Sequence, residues 1–589
     1  MTELINKFYS FLPAAADGKE QTLSLTPRGR GRKRTLVILI MIVLLSAFLR
    51  FYRLGSVPPS LDWDEVSLAY NAESLLETGR DEFGHSWPLS IQSFGDYKPP
   101  VYTYLLIPVL KIFGKTEFSV RFPSALAGTL TVLVTYFLVK ELFNHFNHLT
   151  IPLLSSFFLA ISPWHLQFSR IAFEANIGLL FFVAGMWLLI RALDQNSLWS
   201  MFFSVVFMSA AMMSYHSLRV VAPLLVFVTL WIYRMEFLSL LRCNLAEAKL
   251  HLFRRSTLPL ILSAFLAILT ILTISYTIFF QKVGQSRFEK TSFLTIDNLL
   301  TVSRDRLEKY GRNPLDKIIN LKYLVYGKQY IKGYLDHFDL RFWFLNGDRI
   351  DRHRATSVGL LYWWELPLLV MGLIFILKRS FDSAQDRKSA RALIFWFLLA
   401  PAASALTGGT PSAVRSLLFL PTFQIFEGIG LIWLIGRIRQ IGQIKRIWPL
   451  LFAFCFLLFA SFEIGHYFHQ YYVHSPLEYA PAWQYGYKQM VERAMAEKND
   501  YEKIVVTTSY DQPYIYFLWY GNYDPKIWVN DGEFNKFFDK FEFRKIEWDQ
   551  FSDQQRILVI SSSDETKGKP IKWQINYPDG KTAFNATEL

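Results

Sequence analysis

The sequence predicts a polytopic α-helical membrane protein that ends in a small α/β domain. Three observations carry this reading. The chain has 589 residues, 52% of them hydrophobic and 17% aromatic, and its mean hydropathy is positive. A soluble protein of this length is less aliphatic. Apolar runs near the roughly 20 residues a bilayer requires recur about eleven times. Basic clusters then fall on one side of the resulting topology, as the positive-inside rule demands.

The expected spans, in order, are 35–53, 121–143, 149–163, 171–193, 198–215, 218–234, 256–280, 357–377, 391–407, 413–436 and 446–465, the third and sixth being short. The first apolar run follows the basic segment PRGRGRKR and has no small-residue cleavage site after it, so it reads as an uncleaved anchor with its N-terminus inside. With eleven spans, the clusters Arg28 to Arg34, Arg234 to Arg255, Lys378 to Arg391 and Arg437 to Arg446 all face the cytoplasm. The loops 54–120 and 281–356 and the C-terminal tail then lie outside. Counting the short apolar stretch PPVYTYLLIPVLKIFG (99–114) as a span would put the basic clusters outside. It is therefore read as a re-entrant or interfacial helix, with its prolines at the N-terminus. After residue 466 the chain turns polar and aromatic. YEKIVVTTSY and QRILVISSS read as strands, and EYAPAWQYGYKQMVERAMAEK contains an amphipathic helix. Three regions result: a basic cytoplasmic segment 1–34, a transmembrane region 35–465 and an extracytoplasmic domain 466–589.

The net charge of +13 follows from topology and does not imply a nucleic-acid partner. The two cysteines, Cys243 and Cys455, fall in or beside apolar segments. They imply neither a disulfide framework nor a Cys-based metal site.

The first outer loop holds eight carboxylates between Asp62 and Asp96. The sharpest group is Asp62, Asp64 and Glu65 in PPSLDWDEVSLAYNAES. A carboxylate beside the bilayer can take a proton from an acceptor hydroxyl as general base. The same residues suit a helix N-cap and first turn. The readings are compatible, because a cap also fixes the carboxylate. Lys98, in FGDYKPPVY, is placed to meet a phosphate at headgroup level or to snorkel. Arg170 and Glu174, in SPWHLQFSRIAFEANIG, are four apart and would share a helix face. They form either an ion pair or part of a cavity wall. His165 reads as an interfacial hydrogen-bonding residue. Arg415, in GGTPSAVRSLLFLP, sits near the outer mouth of the tenth span, where a phosphate is a natural partner for its guanidinium; snorkelling competes. Loop 281–356 carries fifteen Lys and Arg against nine Asp and Glu, enough to gather an anionic substrate or to touch anionic headgroups. No HExxH or other metal-ligand spacing occurs.

Taken in order, the DE pair after the first span, GRDEFG, FGDYKPPVYTYLLIP, FSVRFPSALAGTLTVLVTYFLVKELF and SPWHLQFSRIAFEAN resemble the GT-C glycosyltransferases of the protein O-mannosyltransferase and aminoarabinose transferase type. The resemblance covers roughly residues 35–235 closely and runs more loosely to Arg415. It implies a GT-C membrane fold and an enzyme that takes a sugar from a polyprenyl monophosphate at the outer leaflet of the plasma membrane. It places the catalytic carboxylate on Asp64, followed by Glu65, and a donor-phosphate contact on Lys98. An acidic cavity residue falls on Glu174 and, by position alone, a late arginine on Arg415. Asp62 is an extra carboxylate beside the base, and Arg170 is grouped with the cavity. Acceptors on protein, lipid or glycan all fit. The lipid phosphate leaves as a stable anion, so no general acid or cofactor is needed beyond the lipid-linked donor, and nothing in the sequence requires a metal. The C-terminal domain departs from the family pattern.

Two other readings compete. A flippase or transporter for lipid-linked sugar would carry polar residues deep in several spans and an internal repeat. A surface-polymer ligase would favour the large basic outer loop but not a DE pair beside the first helix.

Overall fold

The computed structural model describes residues 28–143, 150–248, 258–279, 292, 297–310, 314, 318, 321–378, 384–440, 447–531, 537–551 and 556–589. The segment 1–27, the basic residues Lys249, Arg254, Arg255 and Arg446, and most of 280–320 lie outside them.

Each expected apolar run contains a helix. In chain order these are α1 (Arg28–Phe51), then α2 (Trp63–Thr78) and α3 (Val101–Phe113) in the first loop, α4 (Glu117–Leu142), α5 (Thr150–Ile161), a short α6 (Pro163–Ser169), α7 (Glu174–Gln195), α8 (Leu198–Ser214), α9 (Leu218–Ile232), α10 (Arg234–Ala248) and α11 (Leu258–Phe279). After the second long loop, with α12 (Asp297–Tyr310) and α13 (Lys322–Asp336), come α14 (Glu365–Lys378), α15 (Ala384–Leu399), α16 (Thr422–Gln440) and α17 (Ile447–His469). Among the described residues, seven helices are long and apolar enough to cross a membrane alone, and α9 with α10, bent by 82°, makes up to eight. α5 and α8 are shorter apolar helices, and α14 has 14 residues. The chain is thus an integral, multi-pass membrane protein.

Burial separates the helices into two kinds. α4, α7 and α16 are about two-thirds or more buried over their apolar windows, whereas α1, α11 and α17 bury 28%, 17% and 11%. Leu and Phe cover the exposed faces of α11 and α17, which only a lipid environment tolerates. The tightest internal crossing joins α14 and α16. A Cβ on Gly372 would stand 1.9 Å from the Phe426 carbonyl oxygen, and one on Gly430 would stand 2.0 Å from that of Leu368. Small residues let two backbones touch, and in lipid such dispersion contacts drive helix association.

The C-terminal part folds as expected from its strand and helix patterns. Two strands of the first loop, β1 (Ile91–Ser93) and β2 (Asp96–Lys98), pair with each other. In the C-terminal part, helix α18 (Tyr487–Ala496) precedes β3 (Lys503–Thr507). Then follow α19 (Pro513–Tyr520), α20 (Pro525–Asp531), β4 (Phe537–Phe538), β5 (Phe541–Arg544), β6 (Ile557–Ser561), β7 (Trp573–Asn576) and β8 (Thr582–Glu588). These strands form one sheet in the order β4-β5-β3-β6-β8-β7, with β3 parallel to β5 and β6. The sheet does not stand apart from the first loop. Val66, Tyr70, Tyr102 and Leu106 of that loop share one apolar core with Ile504, Ile515, Tyr516 and Trp519.

Candidate active site

The first loop is held by a capping box. Asp62 is the N-cap of α2: its Oδ1 accepts from the Glu65 N–H at 2.9 Å, and Glu65 Oε2 accepts from the Asp62 N–H at 3.2 Å. Each carboxylate satisfies a backbone donor that helix geometry would leave orphaned. Each is also tied to an arginine far along the chain. Glu65 accepts both Nε and Nη2 of Arg121 at 2.9 Å, and the Ala172 N–H at 2.9 Å. Arg121, fully buried, also donates to the carbonyls of Leu54, Pro58 and Ser60. A bidentate, buried Arg–carboxylate pair fixes geometry strongly. Asp62 is paired with Arg352 Nη1, whose guanidinium also lies 4.6 Å from the centre of the Trp63 ring.

Asp64 lies between these two anchors and is the most open of the three, its side chain 36% exposed. Its Oδ1 lies 2.8 Å from Lys98 Nζ, which also donates to the Asp64 carbonyl at 3.3 Å. Lys98 arrives there as the last residue of β2, across from Ile91. The hairpin turns at Phe94 and Gly95, with φ of +52° and +71°, the left-handed pair of a tight two-residue turn. His216 of the loop before α9 donates from Nε2 to the Tyr97 carbonyl at 3.1 Å and so braces β2. Burial disfavours the Lys98 ammonium, but Asp64 first and then Glu174 outweigh it and hold its pKa above the ordinary lysine range. Burial likewise opposes the Arg352 charge, and Asp62 and Asp64 outweigh it.

The structure thus brings together Asp62, Asp64 and Lys98 and places Glu174, in the first turn of α7, within electrostatic reach of Lys98. It separates the two aspartates: Asp62 caps and pairs, while Asp64 faces outward. Glu65 is committed to Arg121 and backbone donors. Arg170 corrects the sequence reading. It does not share a helix face with Glu174, because α6 ends at Ser169 and Arg170 is its C-cap. Its guanidinium donates to the carbonyls of Leu49, Arg50, Tyr52 and Val57 and to the Tyr471 hydroxyl, which uses all five of its N–H groups. It is a clamp on the C-terminal end of α1. Arg415 Nη1 donates to Thr407 Oγ1 and the Gly408 carbonyl, both at 2.8 Å, and has no described contact with Asp64 or Lys98. Its neighbour Val414 and Ala175, next to Glu174, line the same small apolar cleft with Tyr215 and Ser217. His165 is buried against Arg50, Nδ1 to Nη2 at 2.8 Å. Among the described residues, no three His, Cys, Asp or Glu side chains are grouped to hold a metal ion.

Arg121 and Arg352 are the site residues that sequence reasoning missed. The signal for Arg121 was a lone arginine one turn into a mostly apolar helix, a position that requires a partner. Arg352 had no local signal.

The sequence profile of the dolichyl-phosphate-mannose-protein mannosyltransferases matches residues 97–241. The chain is 30% identical over 170 residues to the putative mannosyltransferase YkcB of Bacillus subtilis (strain 168). That match covers 28% of this chain and 22% of the relative's length. Similar solved structures include ArnT from Cupriavidus metallidurans bound to undecaprenyl phosphate, with a TM-score of 0.46, 12% identity and coverage of 95% of this chain and 98% of that one. The archaeal oligosaccharyltransferase AglB from Archaeoglobus fulgidus, in complex with an inhibitory peptide and a dolichol-phosphate, has a TM-score of 0.46 and 14% identity, over 83% of this chain and 64% of that one. The resemblance seen in the sequence is borne out over residues 97–241, which hold Lys98, Arg121 and Glu174 and match the profile of the dolichyl-phosphate-mannose-protein mannosyltransferase family.

Proposed function

We propose that this chain is an inverting glycosyltransferase that moves a sugar, such as mannose or aminoarabinose, from a polyprenyl monophosphate to a hydroxyl of a protein, lipid or glycan. The observation that carries the reading is the Asp64–Lys98 pair, partly open to solvent and held in place by two arginine–carboxylate locks. In this reading the protein has eleven spans in the plasma membrane, its N-terminus is cytoplasmic, and its first loop and C-terminal domain face outside.

The chemistry follows from the charges. The acceptor oxygen attacks the anomeric carbon, the carbon–oxygen bond to phosphate breaks on the opposite face, and one displacement inverts the centre. Asp64 takes the acceptor proton as general base. Lys98 shifts from Asp64 to the phosphate and stabilises the charge that develops on the leaving group, with Arg352, held by Asp62, as a second cation nearby. Arg415 is a further candidate for that phosphate from across the Val414–Ala175 cleft. Glu174 keeps Lys98 protonated, Asp62 orients Arg352, and Glu65 fixes the helix that carries Asp64. The leaving group is already a stable anion, so the reading calls for no cofactor besides the donor lipid.

The test is transfer from radiolabelled polyprenyl-phosphate sugars to membrane extract by wild type and Asp64→Asn. Transfer that falls at least about 100-fold in the variant, with donor binding retained, supports Asp64 as the base. Absence of transfer by wild type from every monophosphate donor, with equal movement of lipid-linked sugar across the membrane by both proteins, replaces the enzyme with a flippase.

A further inference from the structure

A second polar cluster lies inside the helical bundle, apart from the outer site. Gln424 and Glu427 of α16 are fully buried. Neither amide atom of Gln424 nor either carboxylate oxygen of Glu427 has a hydrogen-bond partner among the described residues. Gln424, Glu427 and Gly428 are spaced i, i+3, i+4 and so share one face of α16. Ser155 of α5 stands against that face: its Oγ lies 3.0 Å from where a Cβ on Gly428 would be. This hydroxyl too is buried and has no partner among the described residues. Glu365, at the start of α14, is buried and within electrostatic reach of Glu427. One of its oxygens accepts the Tyr362 N–H at 2.9 Å, and the other, Oε1, has no partner among the described residues. Phe158, one turn from Ser155, and Trp364, next to Glu365, have ring centres 5.5 Å apart, so α5 and the start of α14 meet at this level.

Buried polar groups in native proteins are almost always paired, and ionisable groups within a bundle are costly and mark functional positions. Here two carboxylates, an amide and a hydroxyl are buried on three helices that pack together, with no basic side chain bonded to any of them among the described residues. The unsatisfied acceptors are all oxygens, the donor set that suits hard cations. We propose that Glu427, Glu365, Gln424 and Ser155 form a buried site for a hard cation, sodium or an alkaline-earth ion. The ion would tie α5, α14 and α16 together beside the Gly372–Gly430 crossing. The site stands independently of the glycosyltransferase reading.

The test is thermal unfolding of the full-length protein in detergent at constant ionic strength, with choline chloride replaced stepwise by sodium chloride, or by magnesium or calcium chloride in separate series. The expected result is a saturable upward shift of at least about 2 °C with one of these cations and none with choline, since a ligand that binds only the folded state stabilises it by mass action. The shift is lost in Glu427→Gln and weakened in Ser155→Ala, which leaves the helix packing unchanged. The responding series identifies the ion. A wild-type unfolding temperature that is the same in every salt overturns the proposal and leaves the cluster as polar groups sealed in the bundle.

Discussion

At the scale of single residues, the site depends on which carboxylate is open to solvent and which is buried in structural pairs. Glu65 and Arg121 exchange two hydrogen bonds in a fully buried setting. Removing one partner of such a pair strands the other as an uncompensated charge, at a cost of about 3–5 kcal/mol. Arg121→Met is therefore expected to lower folding yield and unfolding temperature sharply, measured by fluorescence-detected size exclusion after heating. Lys98→Met is expected to do neither. Lys98 is only 12% exposed, but its main partner, Asp64, is 36% exposed, so the variant should stay folded and lose donor turnover about 10–1000-fold, the scale of one electrostatic contact in a transition state. The sequence made Asp64 and Lys98 legible because each stands in a local motif: a helix start after a span, and a lysine before paired prolines. It misread Arg170, because the i, i+4 rule presumes a continuous helix and the chain turns between Ser169 and Glu174. Arg352 was beyond its reach, since its carboxylate partner lies 290 residues away and nothing in GDRIDRHR distinguishes it from the other cations of its loop.

At the scale of elements, apolar length located a helix in each expected span, but packing is decided by small residues that hydropathy does not weigh. Gly372 and Gly430 are ordinary members of apolar runs, yet each stands where a Cβ would fall about 2 Å from a backbone carbonyl oxygen. Both neighbours are helix backbone, which cannot move aside as a side chain can. Gly372→Leu is expected to force α14 and α16 apart, lowering the unfolding temperature and abolishing activity while leaving membrane insertion intact. Gly436, on α16 as well, is the control, because a Cβ there would meet nothing within 4 Å: Gly436→Ala should be neutral in both measurements. Strand placement in the C-terminal part was legible because IVVT and ILVIS are short, wholly buried runs. The order of the sheet was not, because parallel pairing of β3 with β5 and β6 leaves no periodic mark in the chain.

At the scale of the whole molecule, the sequence divides what the fold joins. The composition change after residue 466 suggests a separate domain, whereas the first loop and the sheet share one core, and Trp528 Nε1 donates to the Glu82 carbonyl at 3.0 Å across that junction. Glu82 is sealed there. Burial, and next the charge of Asp81, push its pKa up to about 8. The groups that surround it are Tyr70, Tyr514 and, more distantly, Lys98. Its folded pKa therefore lies above its unfolded value near 4.5, so the folded state holds more protons between these limits. The stabilisation from the neutral acid is complete below about pH 4.5 and is lost progressively as pH rises through about 8. The junction between first loop and sheet should accordingly loosen in mildly alkaline solution, before the bundle does. Limited proteolysis of the full-length protein in nanodiscs from pH 6 to 9 should show cleavage between residues 466 and 486 rising from pH 6 and levelling off above about pH 8. Glu82→Gln, which keeps the shape and removes the charge, should flatten the profile. A wild-type profile that is already flat would mean that Glu82 stays ionised, and that the apolar core alone carries the docking of the C-terminal domain onto the loop that presents Asp64.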